Sequence, residues 1–328
     1  MKKRGIGYGC MMYAIGYGFG RPDASAASVE IGEDGTVTVL SGCAEIGQGS
    51  TEMIALIAAE ELGILPEDVM VLTSDTATTP DAGPSTASRQ TYVTGNAVKK
   101  AAGELKRSLL MGAAELLGVE PEGITFKKRG VYYTGEKTGL TMADVASHCR
   151  RTGKQFMGWG WFNNTTPDVD PETNQGDAYA SYTFATQAVE VEVDTDTGEV
   201  TVLRVVAAHD VGRAINPLAI EGQIEGGVAM GLGYALIEEV ILDKGRPLTP
   251  TFAEYLLPTA KDVPPIVSLI VEEAEPTGPF GAKGVGEPAT IPTAPAIINA
   301  IYNAVGIRIT ELPATPEKIR QLLKEKGF

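Results

Sequence analysis

The chain has 328 residues, 43% hydrophobic and 21% charged, which is the balance of a globular protein and enough length for one large domain or two to three subdomains. A net charge of −15 with no basic run to offset it sets aside nucleic acid and anionic membrane as partners. Cys10, Cys43 and Cys149 lack any CxxC spacing, and His148 and His209 are too few for a histidine site, so neither set holds an iron–sulfur cluster, a zinc ion or a disulfide framework by itself; reduced thiols in a cytoplasmic protein are expected.

The N-terminus, MKKRGIGYGCMMYAIGYGFG, begins like a signal peptide, but glycine breaks its apolar stretch repeatedly, so it reads as a Gly-rich first segment of the fold. No run reaches the about 20 apolar residues of a membrane span. Ala27–Ile31 alternates like a strand, Gly32–Gly35 turns, and Thr36–Leu40 returns, a hairpin signature. Gly47-Gln48-Gly49-Ser50 follows, then a helical run from Met53 to Leu62. A second helix is expected over Ala97–Leu117, with Gly118 placed to stop it. Residues 134–174 read as a connecting segment. Val189–Val193, the turn Asp194–Gly198 and Val200–Leu203 form a second hairpin, followed by Gly222-Gln223 and an apolar helix to Ile237. Pro295–Ala304 reads as a helix with Pro in its first turn, and Thr315 caps a last amphipathic helix to Lys326.

Both halves thus read hairpin, loop, Gly-Gln, helix, with a shared G-x-V-T-V-L from Gly35 and from Gly198. This echo predicts an α+β chain of two related β-hairpin/helix subdomains, 1–175 and 176–328. A helix N-terminus offers backbone N–H groups and partial positive charge, and the glycines permit close approach by an anion. A Gln side chain adds a neutral donor and acceptor, so Gln48 and Gln223 read either as helix caps or as contacts to a shared ligand.

Gly83–Asn96 is dense in small hydroxyls and glycine around Arg89. That composition suits phosphate or pyrophosphate at a helix start, but also a simple capped loop. It matches neither the nucleoside-triphosphatase nor the dinucleotide glycine spacing. His209-Asp210 resembles part of a hydrolase triad but has no G-x-S-x-G beside it, and the turn closed by Asn216-Pro217 is read as structural. In Gly281–Pro288, Glu287 sits among glycine, alanine, valine and proline, with Lys283 just upstream. Few of these side chains can hydrate an acid. Desolvation disfavours a charged carboxylate, the condition that suits a general base, but the segment reads equally as a turn whose Glu287 faces water.

Together these segments resemble the molybdenum hydroxylase family, the xanthine dehydrogenase and aldehyde oxidoreductase group. The matches are GQGS at 47–50, PSTASRQTYVTGNA at 84–97, DVGRAINP at 210–217, EGQIEGGVAMGLG at 221–233 and KGVGEP at 283–288, in the family's order. The resemblance covers the C-terminal half of the family's molybdenum-binding polypeptide and is similar in extent to the medium molybdopterin subunit of split nicotinate dehydrogenase. It implies a split subunit or a fragment.

The resemblance further implies that Gly47, Gln48 and Gly49, the loop Ala87, Ser88, Arg89, Gln90 and Thr91, and Gln223, Lys283 and Gly284 cradle a molybdopterin, with cytosine dinucleotide as its expected form and a terminal sulfido or selenido ligand on the metal. The two subdomains would clasp it, the pterin rather than the protein would hold the molybdenum, and Glu287 would be the catalytic base. [2Fe–2S] clusters and FAD would lie on partner subunits, beside a larger molybdenum-binding subunit supplying the N-terminal half. The expected reaction is hydroxylation of an N-heterocycle such as a nicotinate- or purine-like substrate, with water as the oxygen source. Aldehyde oxidation, a hydroxybenzoyl-CoA-reductase-like role and a non-catalytic cofactor-binding scaffold are the alternatives.

Overall fold

The computed structural model describes residues 1–73 and 75–327. In chain order the elements are β1 (Lys2–Ala14), β2 (Ala24–Ile31), β3 (Val37–Ser41), α1 (Ser50–Leu62), β4 (Val69–Thr73), α2 (Gly95–Leu117), β5 (Ile124–Lys127), β6 (Gly130–Tyr133), β7 (Glu136–Thr141), α3 (Met142–Arg151), β8 (Met157–Asn163), β9 (Tyr182–Asp194), β10 (Val200–Asp210), α4 (Pro217–Leu236), β11 (Leu242–Asp243), β12 (Arg246–Pro247), β13 (Ile266–Val271), α5 (Thr293–Val305) and α6 (Pro316–Glu325). The chain divides into two compact units, each discontinuous in sequence. One, called here the Glu287 unit, comprises Met1–Tyr13, Tyr182–Glu273 and Val285–Phe328; the other, the Gln48 unit, comprises Ala14–Ser181 and Ala274–Gly284.

The Glu287 unit is built on a sheet of order β1-β9-β10-β13. The β9–β10 hairpin is antiparallel, and β10 pairs in parallel with β13 after the chain crosses through α4. Val189, Val191, Val205 and Ala207 on one sheet face meet Ile224, Val228 and Leu232 of α4 and Ile297 and Ile301 of α5 in the core. Strand β1 turns Gly5, Gly7 and Gly9 towards α5. A Cβ at Gly7 would lie 2.1 Å from the backbone nitrogen of Ala300, so only glycine lets this helix lie directly on the strand.

The Gln48 unit repeats the plan. Its sheet runs β4-β3-β2-β8, with β2–β3 antiparallel and β3–β4 parallel across α1. Its edge strand β8 turns Gly158 and Gly160 towards α2, where added Cβ atoms would lie 2.1 and 1.9 Å from the carbonyl oxygens of Ala101 and Ala97. The hairpin/helix plan expected of both halves recurs in topology, each unit adding a glycine-faced edge strand, but the units are not the contiguous 1–175 and 176–328: Met1–Tyr13 falls in the Glu287 unit and Ala274–Gly284 in the Gln48 unit. A small sheet of β5, β6 and β7, together with α3, completes this unit.

The local signals explain most boundaries. Gly35 and Gly198 take positive φ in the two hairpin turns, and Gly118 stops α2 in a left-handed cap at φ 67°. The Thr315 side chain caps α6 by accepting from the Lys318 amide. Residues 134–174 differ from expectation: the segment holds β7, α3 and β8 rather than only a connection. Its helix starts at a capping box in which Thr141 and Asp144 bond reciprocally. No apolar alternation marks strand β8, because its inward positions are glycines.

Candidate functional site

In the Glu287 unit, Glu287 lies on the turn that leads into α5, where its carbonyl oxygen accepts from the Thr290 amide at 3.1 Å. Its glycine-rich surroundings predict a dry niche. In the chain by itself the Glu287 side chain is exposed, because its glycine and proline neighbours have too little bulk to cover it. Its carboxylate accepts a hydrogen bond from the hydroxyl of Tyr13 at the end of β1. Tyr13 was not legible as a site residue: it is some 270 positions away in sequence and belongs to no motif.

Gln223 is half-buried and donates from Nε2 to the carbonyl of Gly286 at 3.3 Å. It reaches that turn from the second turn of α4, not from a helix start as expected. The helix begins at Pro217, behind Asn216, whose side chain accepts from the Ala219 amide at 3.1 Å. The Asn-Pro pair read as a structural turn is thus the cap of α4, and the two Gly-Gln pairs do not occupy equivalent places in the two units. One turn beyond Gln223, Gly227 lies against Ala289, and Gly231 lies against Thr293; added Cβ atoms would sit 2.4 and 2.5 Å from those side chains. Positions 223, 227 and 231 therefore form one face of α4 running along the turn that carries Glu287.

In the Gln48 unit, Gln48 sits in the loop before α1. Its Oε1 accepts from the Ile46 amide at 2.7 Å, and its Nε2 donates to the Ala44 carbonyl and the Ser50 hydroxyl at 2.9 and 3.1 Å. The amide staples its own loop. The backbone N–H groups of Gly47, Gly49 and Thr51 all donate to the carboxylate of Glu45, at 2.8, 3.0 and 2.9 Å, and the Ser50 hydroxyl donates to it at 3.1 Å. Burial pushes the Glu45 acid upward, but these donors outweigh it and hold the carboxyl down at about 2. The start of α1 is thus already served by an internal anion, which corrects the expectation of an open anion site there. Gly47 and Gly49 take positive φ of 97° and 79°, and an added Cβ at either meets nothing within 4 Å. Their conformation requires glycine, and the backbone is left bare on that side.

Within the second loop, Ala87 and Ser88 take consecutive left-handed conformations, at φ 54° and 49°, a strained arrangement that recurs at binding loops. The Ala87 carbonyl accepts from the Gly16 amide at 2.9 Å. Gly284 passes so close that a Cβ there would lie 1.8 Å from the Ser88 carbonyl oxygen. Arg89 turns inward and is 1% exposed. Its guanidinium donates to Asp23 at 2.5 Å, to the Ala82 and Pro84 carbonyls, and to the Ala24 carbonyl. The side chain expected to meet a ligand phosphate is fully used in holding the loop. Gln90 does likewise, donating to the Pro84 carbonyl and the Ser85 hydroxyl while accepting from Thr94. Thr91 lies half-buried on the π-helical turn Gln90–Thr94 that opens α2. Lys283 is buried, and its charge helps hold the Glu275 carboxyl low, after burial, which opposes, and the hydrogen bonds from Thr277 and Ser181.

Among the described residues no cluster of three or more His, Cys, Asp or Glu is placed to hold a metal ion, and no helix is long and apolar enough to cross a membrane. Residues 1–264 match the molybdopterin cofactor-binding domain family. The chain is 35% identical over 99% of its length to a probable xanthine dehydrogenase subunit of Bacillus subtilis, covering 43% of that protein. It is 38% identical over 98% of its length to the aldehyde oxidoreductase of Megalodesulfovibrio gigas, covering 32% of it. The crystal structure of quinoline 2-oxidoreductase from Pseudomonas putida 86 superposes with a TM-score of 0.86 at 28% identity, over 99% of this chain and 42% of that one. The chain spans less than half the length of these relatives, and it belongs to the molybdopterin-binding part of the molybdenum hydroxylase family.

Proposed function

We propose that this chain is a catalytic, molybdopterin-binding subunit of a cytoplasmic, multi-subunit hydroxylase that inserts water-derived oxygen at an electron-poor carbon of an N-heterocycle. The observation that carries the reading is the meeting of Tyr13, Gln223 and the Glu287 turn within one unit, in a chain of this family. The [2Fe–2S] clusters and FAD would be supplied by other chains. The part of the relatives that this sequence does not span would cover the Glu287 side chain, which is exposed here.

When bound, molybdopterin, expected as the cytosine dinucleotide with a terminal sulfido or selenido ligand, supplies the two-electron redox chemistry at molybdenum. The protein supplies orientation and proton handling. Glu287 accepts the proton released by the oxygen that is transferred. The Tyr13 hydroxyl holds the carboxylate at Oε2 and so sets the direction in which the acid faces. Gln223 keeps the turn in register through the Gly286 carbonyl. Gly47, Gln48 and Gly49 offer the bare ledge, and Ala87, Ser88, Thr91, Lys283 and Gly284 contribute backbone and hydroxyl contacts. Arg89 and Gln90 act on the cofactor only by shaping that loop.

The name of the structural relative, quinoline 2-oxidoreductase, and that of the xanthine dehydrogenase relative favour a ring substrate. Aldehyde oxidation is the second reading, favoured by the 38% identity to an aldehyde oxidoreductase. The test is to co-express the chain with its genomic neighbours, purify the complex, and offer nicotinate, hypoxanthine and benzaldehyde in H₂¹⁸O. Label in a hydroxylated ring is the expected result. Label in benzoate alone would transfer the assignment to aldehydes, and no label in any product would reject the hydroxylase reading.

A further inference from the structure

One polar group in the Glu287 unit is not accounted for by the proposed chemistry. Gln187 is fully buried on the helix-facing side of β9, between Ala185 and Val189 on the same face. Its Nε2 donates to the Ala289 carbonyl at 2.8 Å and lies 3.2 Å from His209 Nε2. Its Oε1 accepts from the Thr293 hydroxyl at 2.7 Å. Both amide hydrogens and the carbonyl oxygen are used, a complete set for a side chain closed off from solvent. Because the Gln187 nitrogen donates, the facing His209 nitrogen takes the acceptor role and the neutral ring carries its proton on Nδ1, a buried atom with no hydrogen-bond partner among the described residues. His209 is itself 1% exposed.

An apolar residue at 187 would fill this place in the core as Ala185 and Val189 do beside it. What the amide adds is a hold on Ala289 and Thr293, the two ends of the short segment that follows Glu287 and enters α5. The other side of Glu287 is held by Gln223 through Gly286. The acid therefore sits between two amide clamps, one on β9 and one on α4.

We propose that Gln187, oriented by His209 and Thr293, is a positioning residue that fixes the turn presenting Glu287. This rests on Glu287 acting as the base, and the test separates the two. In the purified complex, Gln187→Leu keeps the bulk and removes both hydrogen bonds to the turn, and Thr293→Val removes only the donor to Oε1.

For Gln187→Leu, kcat is expected to fall by about 100-fold with KM within about twofold of the parent and molybdenum content unchanged, the signature of a misplaced reacting group. Hydrogen exchange is expected to speed up by about tenfold in residues 286–292 and to stay at parent rates in α2. Thr293→Val should move both readings in the same direction by less, and it carries the test if Gln187→Leu does not assemble. Unchanged exchange in 286–292 would overturn the proposal, and so would faster exchange with parent kcat. Parent turnover in Glu287→Gln would remove the base assignment while leaving the exchange result to stand or fall alone.

Discussion

The turn bearing Glu287 and the loop bearing Gln48 belong to units of the same topology, yet they are held by opposite chemistry. In the Glu287 unit the hold is neutral: the buried amide of Gln187, the buried hydroxyl of Thr293, the uncharged ring of His209 and the half-buried amide of Gln223. In the Gln48 unit the hold is ionic: Glu45 gathers the amides of Gly47, Gly49 and Thr51, and Asp23 pairs with Arg89 beneath the neighbouring loop. Neutral holds keep charge away from the acid expected to move a proton. Ionic holds lock loops whose bare glycines and left-handed residues would otherwise relax.

The largest test of this contrast is at Arg89. Arg89→Met strands the buried Asp23 carboxylate and should cost about 3–5 kcal/mol, read as a loss of unfolding free energy in the complex. A cost under about 1 kcal/mol would mean that the pair is not what holds the loop.

Acid should separate the two units. Burial pulls His209 down from 6.5 to about 4, so the folded protein favours the neutral ring. The unfolded chain binds more protons between those values. Stability from this group is thus fully present above about 6.5 and is lost as pH falls towards about 4, by up to about 3 kcal/mol. His209→Leu should flatten a stability–pH curve over that window; an unaltered slope would contradict the burial account. Glu45, held near 2 against burial by its amide donors, should keep its loop through the same window and release it only in stronger acid.

The smallest effect is expected at Glu45 itself. The carboxylate is mostly exposed, so solvent screening weakens its contribution, and Glu45→Ala should cost about 1 kcal/mol, as for loss of a helix cap. Faster exchange confined to residues 44–51 should accompany it; a global change would break the comparison.

Much of this architecture was legible in the sequence. The two hairpins, the glycine stop of α2 and the Thr315 cap of α6 all carry local chemistry that leaves little choice. Gln223 and Glu287 were singled out by family motifs, not by periodicity, and nothing in the sequence marked their contact through Gly286. The edge strands β1 and β8 were hidden because their inward positions are glycines packed on helix backbone, a feature that carries no hydrophobic signal. Tyr13, Gln187 and Asp23 were hidden because their partners are remote in sequence. Glu45 was overlooked although it stands two residues before Gly47, since an acid serving the amides of the loop ahead of it resembles an ordinary exposed carboxylate. The matched Gly-Gln pairs misled, because one precedes its helix and the other lies inside one.

The most direct test of the central claim is substrate-driven reduction of the assembled enzyme, followed anaerobically by rapid mixing, with Glu287→Gln beside the parent and molybdenum measured in both. Reduction slowed by about 100-fold or more at parent molybdenum content is the result expected of a lost general base. Reduction at the parent rate would contradict the assignment of the proton-accepting role to Glu287.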